Sequence, residues 1–219
     1  AQVAAAARRN RCRAVAYTYS EPVVFYEYML DAAKACRAAG LRNVVVTGGY
    51  IRQEPLRELC RHVDAIKVDL KAFSQKFYSE VVGGELKPVL DALVTMRKLG
   101  MWSEIVYLVI PTLNDSDAEF RALAKWIRAN LGGDAPLHFS RFHPEYLLKN
   151  LPPTPLATLE RAKAAVEQSK QVLVTKAQER PEAGLGGVAL DETAPDKLDV
   201  SDIAPVAPEG SGLGFAPKF

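Results

Sequence analysis

The sequence predicts an α/β fold in which parallel strands alternate with helices. Short β-branched runs are each followed by a longer amphipathic stretch that begins near proline or a capping residue and ends near glycine. The links between these segments are short, which favours parallel βαβ units with right-handed crossovers. Three architectures fit this alternation: a (β/α) barrel, a partial barrel and a doubly wound sheet. In all three, ligands bind at the carboxyl ends of the strands.

Strands are predicted at apolar or alternating runs, namely 13–19, 43–49, 64–70, 101–110 and 136–142, with 171–175 as a last candidate. The continuous apolar run 43–49 is typical of a strand buried on both faces. Helices are predicted over 22–39, 54–63, 73–81, 86–99, 114–131 and 155–168, and residues 1–10 read as the end of a further helix. Asn114 and Asp115 are most simply interpreted as capping residues of the helix that starts there.

Composition narrows the class of protein. The chain has 219 residues, 48% of them hydrophobic, which is enough for one sizeable core. A net charge of +2 argues against nucleic-acid binding. Three cysteines suggest no disulfide framework and fit a reducing, cytoplasmic compartment. No apolar run reaches the roughly 20 residues of a membrane span, so no membrane association is predicted.

Two regions differ in character along the chain. Residues 1–175 carry the strand and helix pattern and are predicted to form the (β/α) domain. Residues 176–219 are rich in proline, glycine, alanine and acidic residues and show no sustained period. Such a segment buries too little apolar surface to fold alone, so it is predicted to be a flexible tail.

Polar residues follow the first two predicted strands, where a ligand would bind. Glu21 comes after the first strand, next to Ser20. Its carboxylate can accept hydrogen bonds from an ammonium group, or it can simply stabilise the first turn of a helix. The second strand ends in Thr47, Gly48 and Gly49. Two glycines let the backbone approach a ligand closely, although an ordinary tight turn has the same composition.

The third strand carries a row of charged residues. Lys67, Asp69 and Lys71 stand two residues apart, so their side chains point to the same face of the sheet. Inside a closed barrel these charges are costly unless they are paired or bound to a ligand. A ligand site and a mutual salt bridge are therefore both consistent with the row.

Two histidines flank the end of the fifth strand. His143 lies at the mouth of the strand, where an imidazole can stack on a ligand or bond to it. His138 lies within the strand and is expected to be a satisfied core residue. Their spacing places them on opposite faces, which argues against a zinc pair. Arg141 suits either a ligand carboxylate or a neighbouring glutamate.

The ordered set of strand-end residues resembles the radical S-adenosylmethionine (SAM) enzymes of the pyruvate formate-lyase-activating type, and is most similar to the radical enzyme of the AmmeMemoRadiSam system. The similarity runs from about Arg13 to about Glu167, and is carried by AYTYSEPVVFYEYML, VDLKAFSQKFY, LVIPTLNDSD and HFSRFHPEY. The resemblance implies a partial (β/α)6 barrel of the radical SAM type, with SAM and a [4Fe–4S] cluster as cofactors. It also implies reductive cleavage of SAM to a 5′-deoxyadenosyl radical, which abstracts hydrogen from a substrate, often a glycyl position in a protein.

The resemblance further implies which residues bind SAM: Ser20, Glu21, Thr47, Gly48, Gly49, Asp69, Lys71 and His143. The first two, together with Pro22, take the place of a Gly-Gly-Glu-Pro motif whose carboxylate end meets the methionine amino group. The next three stand in a Thr-Asn-Gly turn near the cofactor, with Gly48 in place of asparagine. Asp69 and Lys71 stand in an Asp-Leu-Lys motif whose lysine reaches the methionine carboxylate. His143 matches a histidine near the ribose and adenine.

The sequence departs from the family at its cluster motif. The family holds the cluster with a Cys-x-x-x-Cys-x-x-Cys loop after the first barrel strand, because three thiolates bind three irons and leave one iron open. Neither Cys12, before a strand, nor Cys36 and Cys60, on core-facing helix sides, forms such a motif, so no cluster ligand is expected among them. We expect the first strand and its cysteine loop to lie upstream of Ala1. Unpaired sheet edges should then make the chain self-associate.

Three functional hypotheses remain open from the sequence. The leading one is a fragment of a radical SAM enzyme related to glycyl-radical activating enzymes. The second is a module without a cluster that binds SAM or a nucleoside. The third is an unrelated barrel enzyme, such as an aldolase in which Lys71 forms a Schiff base. The predicted partners are SAM and a protein substrate, with no nucleic acid and no membrane.

Overall fold

The computed structural model describes residues 1–168 and 204–205, and its centre is a parallel β-sheet. The strands are β1 (Ala14–Tyr17), β2 (Arg42–Thr47), β3 (Ala65–Leu70), β4 (Trp102–Val109) and β5 (Leu137–Arg141). They lie in the order β5-β4-β3-β2-β1, and every neighbouring pair is parallel. The predicted α/β class and its first five strands are therefore confirmed. The candidate strand 171–175 lies outside the described residues.

Helices connect the strands. They are α1 (Gln2–Arg9), α2 (Tyr26–Ala38), α3 (Gln53–Leu59), α4 (Gln75–Phe77), α5 (Leu86–Lys98), α6 (Asp117–Asn130) and α7 (Leu156–Gln168). A 3-10 turn, Pro22–Phe25, precedes α2, and a π-helical turn, Tyr78–Val82, follows α4. The predicted helix over 73–81 is thus split in two, and it ends at Gly83, whose φ of 76° suits glycine. The predicted helix over 54–63 ends earlier, at Leu59.

Alternation along β3 decides which face of the sheet forms the core. Ile66, Val68 and Leu70 are at most 1% exposed. Lys67 and Asp69 lie between them and are only partly buried. Because successive side chains in a strand point to opposite faces, one face packs against the helices and the other carries the charges. Burying each aliphatic side chain of the core contributes about 1.5–3 kcal/mol.

A buried asparagine links four segments at the opposite end of the sheet from the strand carboxyl ends. Asn43 in β2 is 0% exposed. Its Oδ1 accepts a hydrogen bond from the Tyr17 hydroxyl at 3.0 Å. Its Nδ2 donates to the carbonyls of Ala33 and His62, each at 3.0 Å. These bonds fix β1, β2, α2 and the loop before β3 relative to one another.

The outer edge of β1 is paired at two positions. Val15 pairs in parallel with Ala204, and Ala16 with Pro205. The expectation that this edge is unpaired is therefore wrong at these positions, because a neighbouring backbone satisfies its polar groups. The rest of the predicted tail, 176–219, lies outside the described residues. In the part of the chain that the structure covers, no helix has the length and apolar character that a membrane crossing needs.

Candidate functional site

The carboxylate of Glu21 organises the carboxyl ends of β1 and β2. Its Oε1 accepts hydrogen bonds from the hydroxyl of Thr47 at 2.5 Å and from the backbone N–H of Val23 at 3.2 Å. Its Oε2 accepts from the backbone N–H of Gly48 at 2.7 Å. The same residue therefore caps the 3-10 turn that precedes α2 and holds the glycine turn that follows β2.

The glycine turn is a conformation that other residues would strain. Gly49 has a φ of 75°, and its N–H donates to the Thr47 hydroxyl oxygen at 3.0 Å. A Cβ added there would lie 2.9 Å from Cγ1 of Val68 and 3.2 Å from Cγ1 of Val89. The second position is less constrained, since a Cβ on Gly48 would meet only Oε2 of Glu21, at 3.3 Å. The turn therefore requires glycine at position 49.

The segment that leads into Glu21 is strained. Tyr19 and Ser20 have φ values of 54° and 55°, in the left-handed region that residues with a Cβ rarely adopt. Each such residue costs about 1–2 kcal/mol. Both side chains are exposed. Strained residues of this kind cluster at ligand-binding sites, so the segment is consistent with one.

Asp69 lies between two lysines on the open face of β3. Its Oδ1 is 3.9 Å from Nζ of Lys67, and its Oδ2 is 3.8 Å from Nζ of Lys71. The spacing of two thus places all three on one face, as the sequence predicts. The Lys71 side chain is 38% exposed. A Schiff-base amine is typically buried in an apolar pocket, so these surroundings give the aldolase hypothesis no support.

The register of the strands places Glu21 and its glycine turn next to the Asp69–Lys71 segment. Thr47 in β2 pairs with Val68 in β3, so Gly48 follows beside Asp69. The carboxyl end of β1 lies next, since Tyr17 pairs with Val45. Of the eight sequence-predicted residues, seven therefore sit at the adjoining ends of β1, β2 and β3: Ser20, Glu21, Thr47, Gly48, Gly49, Asp69 and Lys71.

His143 lies apart from this group, beyond the end of β5 at the other side of the sheet. It is exposed, and among the described residues it makes no hydrogen bond or ion pair. Arg141 does not bind a glutamate. Its Nε donates to the carbonyl of Thr154 at 2.8 Å. Thr154 is fully buried, and its hydroxyl accepts from the N–H of Phe142 and donates to the carbonyl of Val109, which fixes the chain just before His143.

Asn114 is not a helix cap, contrary to the sequence interpretation. The capping residue of α6 is Ser116, whose side chain accepts from the N–H of Glu119 at 3.2 Å. Asn114 is 1% exposed, and its amide binds the backbone of Lys71, Leu108 and Ile110. Asp115 accepts from the N–H of Thr112 at 3.0 Å instead. Because the Asn114 side chain is needed between two strand ends, the helix begins later than predicted.

His138 has a hydrogen-bond partner, as expected, but it lies on the charged face of the sheet and is only partly buried. Its Nε2 lies 2.9 Å from Oε2 of Glu104, and the other carboxylate oxygen, Oε1, accepts from the indole N–H of Trp102 at 3.0 Å. Burial raises the pKa of Glu104, but the hydrogen bonds from His138 and Trp102 outweigh it, so the pKa is lowered overall. Register places His138 level with Asp69, since both align with Val106. Sequence reasoning had assigned nothing to Glu104.

The residues present do not fit an iron–sulfur cluster. The three cysteines are free, and they lie on α2, at the end of α3 and before β1. Burial raises the pKa of the Cys60 thiol to about 11 and also raises that of Cys36, whereas cluster binding requires thiolates. Within residues 1–168 and 204–205, no group of three His, Cys, Asp or Glu side chains could hold a metal ion.

A cleft of about 750 Å³ opens next to the glycine turn, between α2, the β2–α3 loop and the start of α5. Tyr26, Tyr50 and Pro88 are among the residues that line it. Its lining includes none of the eight predicted residues. The seven predicted residues at the ends of β1, β2 and β3, which we call the strand-end group, and this cleft are therefore two separate candidate ligand sites.

Comparisons with known proteins point to one family. The family described as the radical SAM superfamily matches residues 1–126. The uncharacterized protein MJ0808 of Methanocaldococcus jannaschii is 42% identical over 168 residues, which cover 76% of this chain and 50% of that protein. A pyruvate formate-lyase-activating enzyme of Clostridium pasteurianum is 26% identical over 114 residues, which cover 52% of this chain and 48% of that enzyme. The chain thus spans about half the length of these relatives.

A solved structure has the same fold. It is a domain of a pyruvate-formate lyase-activating enzyme from Bacteroides vulgatus, with a TM-score of 0.64 and 15% sequence identity. The alignment covers 74% of this chain and 99% of that one. At this identity the likeness concerns the fold alone, and it agrees with the parallel α/β architecture described above.

Proposed function

We propose that this chain, which belongs to the radical SAM superfamily, provides the SAM-binding strand ends of a radical SAM enzyme related to the glycyl-radical activating enzymes. The observation that carries the proposal is that two polar groups meet at the carboxyl ends of adjoining strands. Glu21 with its glycine turn and Asp69 with Lys71 lie on adjoining strand ends. Parallel α/β sheets bind ligands at the carboxyl ends of their strands.

The charges at this edge complement those of the methionine end of SAM, which carries an ammonium and a carboxylate. A carboxylate offers about four lone-pair positions, and that of Glu21 uses three of them on Thr47, Val23 and Gly48. We assign the remaining capacity to the ammonium group, with Ser20 beside it. Lys71 is assigned to the methionine carboxylate, and Asp69 forms an ion pair with that lysine.

His143 is assigned to the adenosine end of SAM. It is exposed and follows β5, which is separated by three strands from β1 and the neighbouring Glu21. An imidazole can stack on a purine and can also donate a hydrogen bond to a ribose hydroxyl. Thr154 holds the chain before His143 in place, so the histidine is presented from a fixed backbone.

Reductive cleavage of SAM is the general reaction of the superfamily, and bound SAM would supply the radical that attacks a substrate. The described residues form no cluster site, so we assign no step of that reaction to them. Their part is to bind and orient the cofactor. We extend the proposal to a protein or peptide substrate, which is supported by relatives named as activating enzymes of pyruvate formate-lyase. The free cysteines support a reducing, cytoplasmic setting.

Equilibrium dialysis with SAM tests the proposal. We expect the wild-type chain to bind SAM without iron, and Lys71→Gln to bind it about ten- to hundredfold more weakly, the fold-change that one hydrogen bond to a charged group is worth. Lys87→Gln is the matched control, since Lys87 is an exposed lysine on α5 whose one ion pair within residues 1–168 and 204–205 is with Asp91. Absence of binding by the wild type, or equal affinity in both variants, would contradict the assignment.

A further inference from the structure

We infer that Asn114 and Glu119 are positioning residues that set the direction in which Lys71 leaves the end of β3. The inference rests on the proposed function, in which Lys71 contacts the methionine carboxylate. Neither residue belongs to the strand-end group itself. Both act on the backbone of the three residues that follow Asp69 and Leu70.

Asn114 holds the carbonyl of Lys71. Its Nδ2 donates to that carbonyl at 2.8 Å and to the carbonyl of Leu108 at 2.9 Å. Its Oδ1 accepts from the N–H of Ile110 at 2.6 Å. Both amide hydrogens are therefore used, and the end of β3 is tied to the end of β4. Since Asn114 is 1% exposed, water does not replace these bonds.

The N–H of Lys71 is held from a different segment. It donates to the hydroxyl of Tyr78 at 3.3 Å, at the start of the π-helical turn. Burial raises the pKa of Tyr78 to about 12, so this hydroxyl stays neutral near pH 7. Side chains thus fix both polar backbone groups of Lys71. Fixing the two peptide planes beside a residue also fixes its Cα–Cβ direction.

Glu119 holds the next part of the loop. Its Oε1 accepts from the N–H of Phe73 at 2.6 Å and lies 2.7 Å from the hydroxyl of Tyr107. Tyr107 is fully buried in an aromatic cluster with Phe120 and Phe139. The 71–73 loop is therefore connected through Glu119 to a rigid part of the core, and an exposed lysine is carried on a well-fixed backbone.

A positioning role differs measurably from a general structural role. If these residues only stabilise the fold, their loss should weaken every ligand equally. If they aim Lys71, their loss should weaken only ligands that carry the carboxylate. SAM carries it, whereas 5′-methylthioadenosine has the same nucleoside but lacks the amino-acid end.

The test is calorimetric titration of the full chain with both ligands. We expect two variants to weaken SAM binding about two- to tenfold, the effect of one hydrogen bond, and to leave 5′-methylthioadenosine affinity unchanged. Glu119→Gln keeps the acceptor but removes its charge, and Tyr107→Phe removes a hydroxyl that contacts both Glu119 and, at 3.0 Å, the carbonyl of Asn114. Lys71→Gln should show the same selectivity to a greater degree. Glu160→Gln, an exposed glutamate on α7, is the matched control and should change neither affinity.

The outcomes separate the inference from the proposed function. Equal weakening of both ligands, or no change in either, overturns the positioning role while the proposed function stands. A wild-type chain that binds neither ligand overturns both. Tyr107→Phe keeps the aromatic ring in the core, so it carries the test if Glu119→Gln does not fold.

Discussion

Gly49, in the turn after β2, should tolerate even a methyl side chain poorly. Replacing Gly49 with alanine has two costs. The φ of 75° strains any residue with a Cβ by about 1–2 kcal/mol. In addition, the new Cβ would lie 2.9 Å from Val68 and 3.2 Å from Val89, both at most 1% exposed. Such overpacking typically costs a further 1–3 kcal/mol or so.

Gly40 offers a matched control in the same chain. Its φ is 76°, but a Cβ placed there meets nothing within 4 Å. Gly40→Ala therefore carries only the backbone cost of about 1–2 kcal/mol. We expect Gly49→Ala to lower the free energy of unfolding by roughly twice as much, or about 2–5 kcal/mol in total.

Urea unfolding followed by far-ultraviolet circular dichroism measures the difference. Both variants should keep the wild-type dependence on denaturant, and the midpoint should fall further for Gly49→Ala than for Gly40→Ala. Equal midpoints would show that Val68 and Val89 yield to the methyl group. Packing would then not be the reason that this turn has glycine.

Glu104, Asn43 and Cys60 lie outside the glycine turn, and the contacts or burial of each lead to a measurable effect. The pKa of Glu104 is lowered in the fold, so its ionised form stabilises the folded state above about pH 4.3, the usual pKa of an unfolded glutamate. This contribution is lost as the pH falls through the lower pKa of the folded state. Glu104→Gln should therefore be less stable than the wild type at pH 7, and its stability should depend less on pH below pH 5. Asn43→Ala leaves buried polar groups without hydrogen bonds, and thermal unfolding should show a loss of stability of about 1–3 kcal/mol for each such group. Asn130→Ala, at the exposed end of α6, is the control and should change stability little. Similar losses of stability in both variants would contradict the role of Asn43. Burial raises the pKa of the Cys60 thiol to about 11. Iodoacetamide at pH 8 should therefore label Cys60 slowly in the folded chain and quickly in urea. Equal labelling rates in the folded and unfolded chain would show that the fold does not protect this thiol.

Period-two and β-branched patterns predicted the sheet because they report directly on burial. In β3 the apolar and charged residues alternate, so both the strand and the face of Asp69 could be read from the sequence. The predicted ends of helices were less accurate where a side chain binds backbone groups far away in the sequence. The helix over 114–131 starts at Asp117 because Asn114 binds the ends of β3 and β4, and local capping chemistry carries no sign of that distant partner.

The candidate site was predictable to a similar extent. The residue types at the strand ends could be found because parallel sheets place those ends together. The bonds of Glu21 to Thr47 and Gly48 could not be found, since a carboxylate near a turn suits many partners. Glu104 and Thr154 were missed for the same reason. Their roles depend on buried contacts 34 and 45 residues apart in the chain, with His138 and Val109 respectively.

Hydrogen exchange with and without SAM distinguishes the two candidate sites, because residues 43–49 and 66–73 at the strand ends do not line the neighbouring cleft. We expect SAM to slow amide exchange in residues 43–49 and 66–73, which contain the glycine turn and the Asp69–Lys71 segment. Protection confined to residues 22–27 and 86–91, which contain lining residues of the cleft, would contradict the proposed SAM site. Exchange that SAM leaves unchanged in all of these peptides would also contradict it.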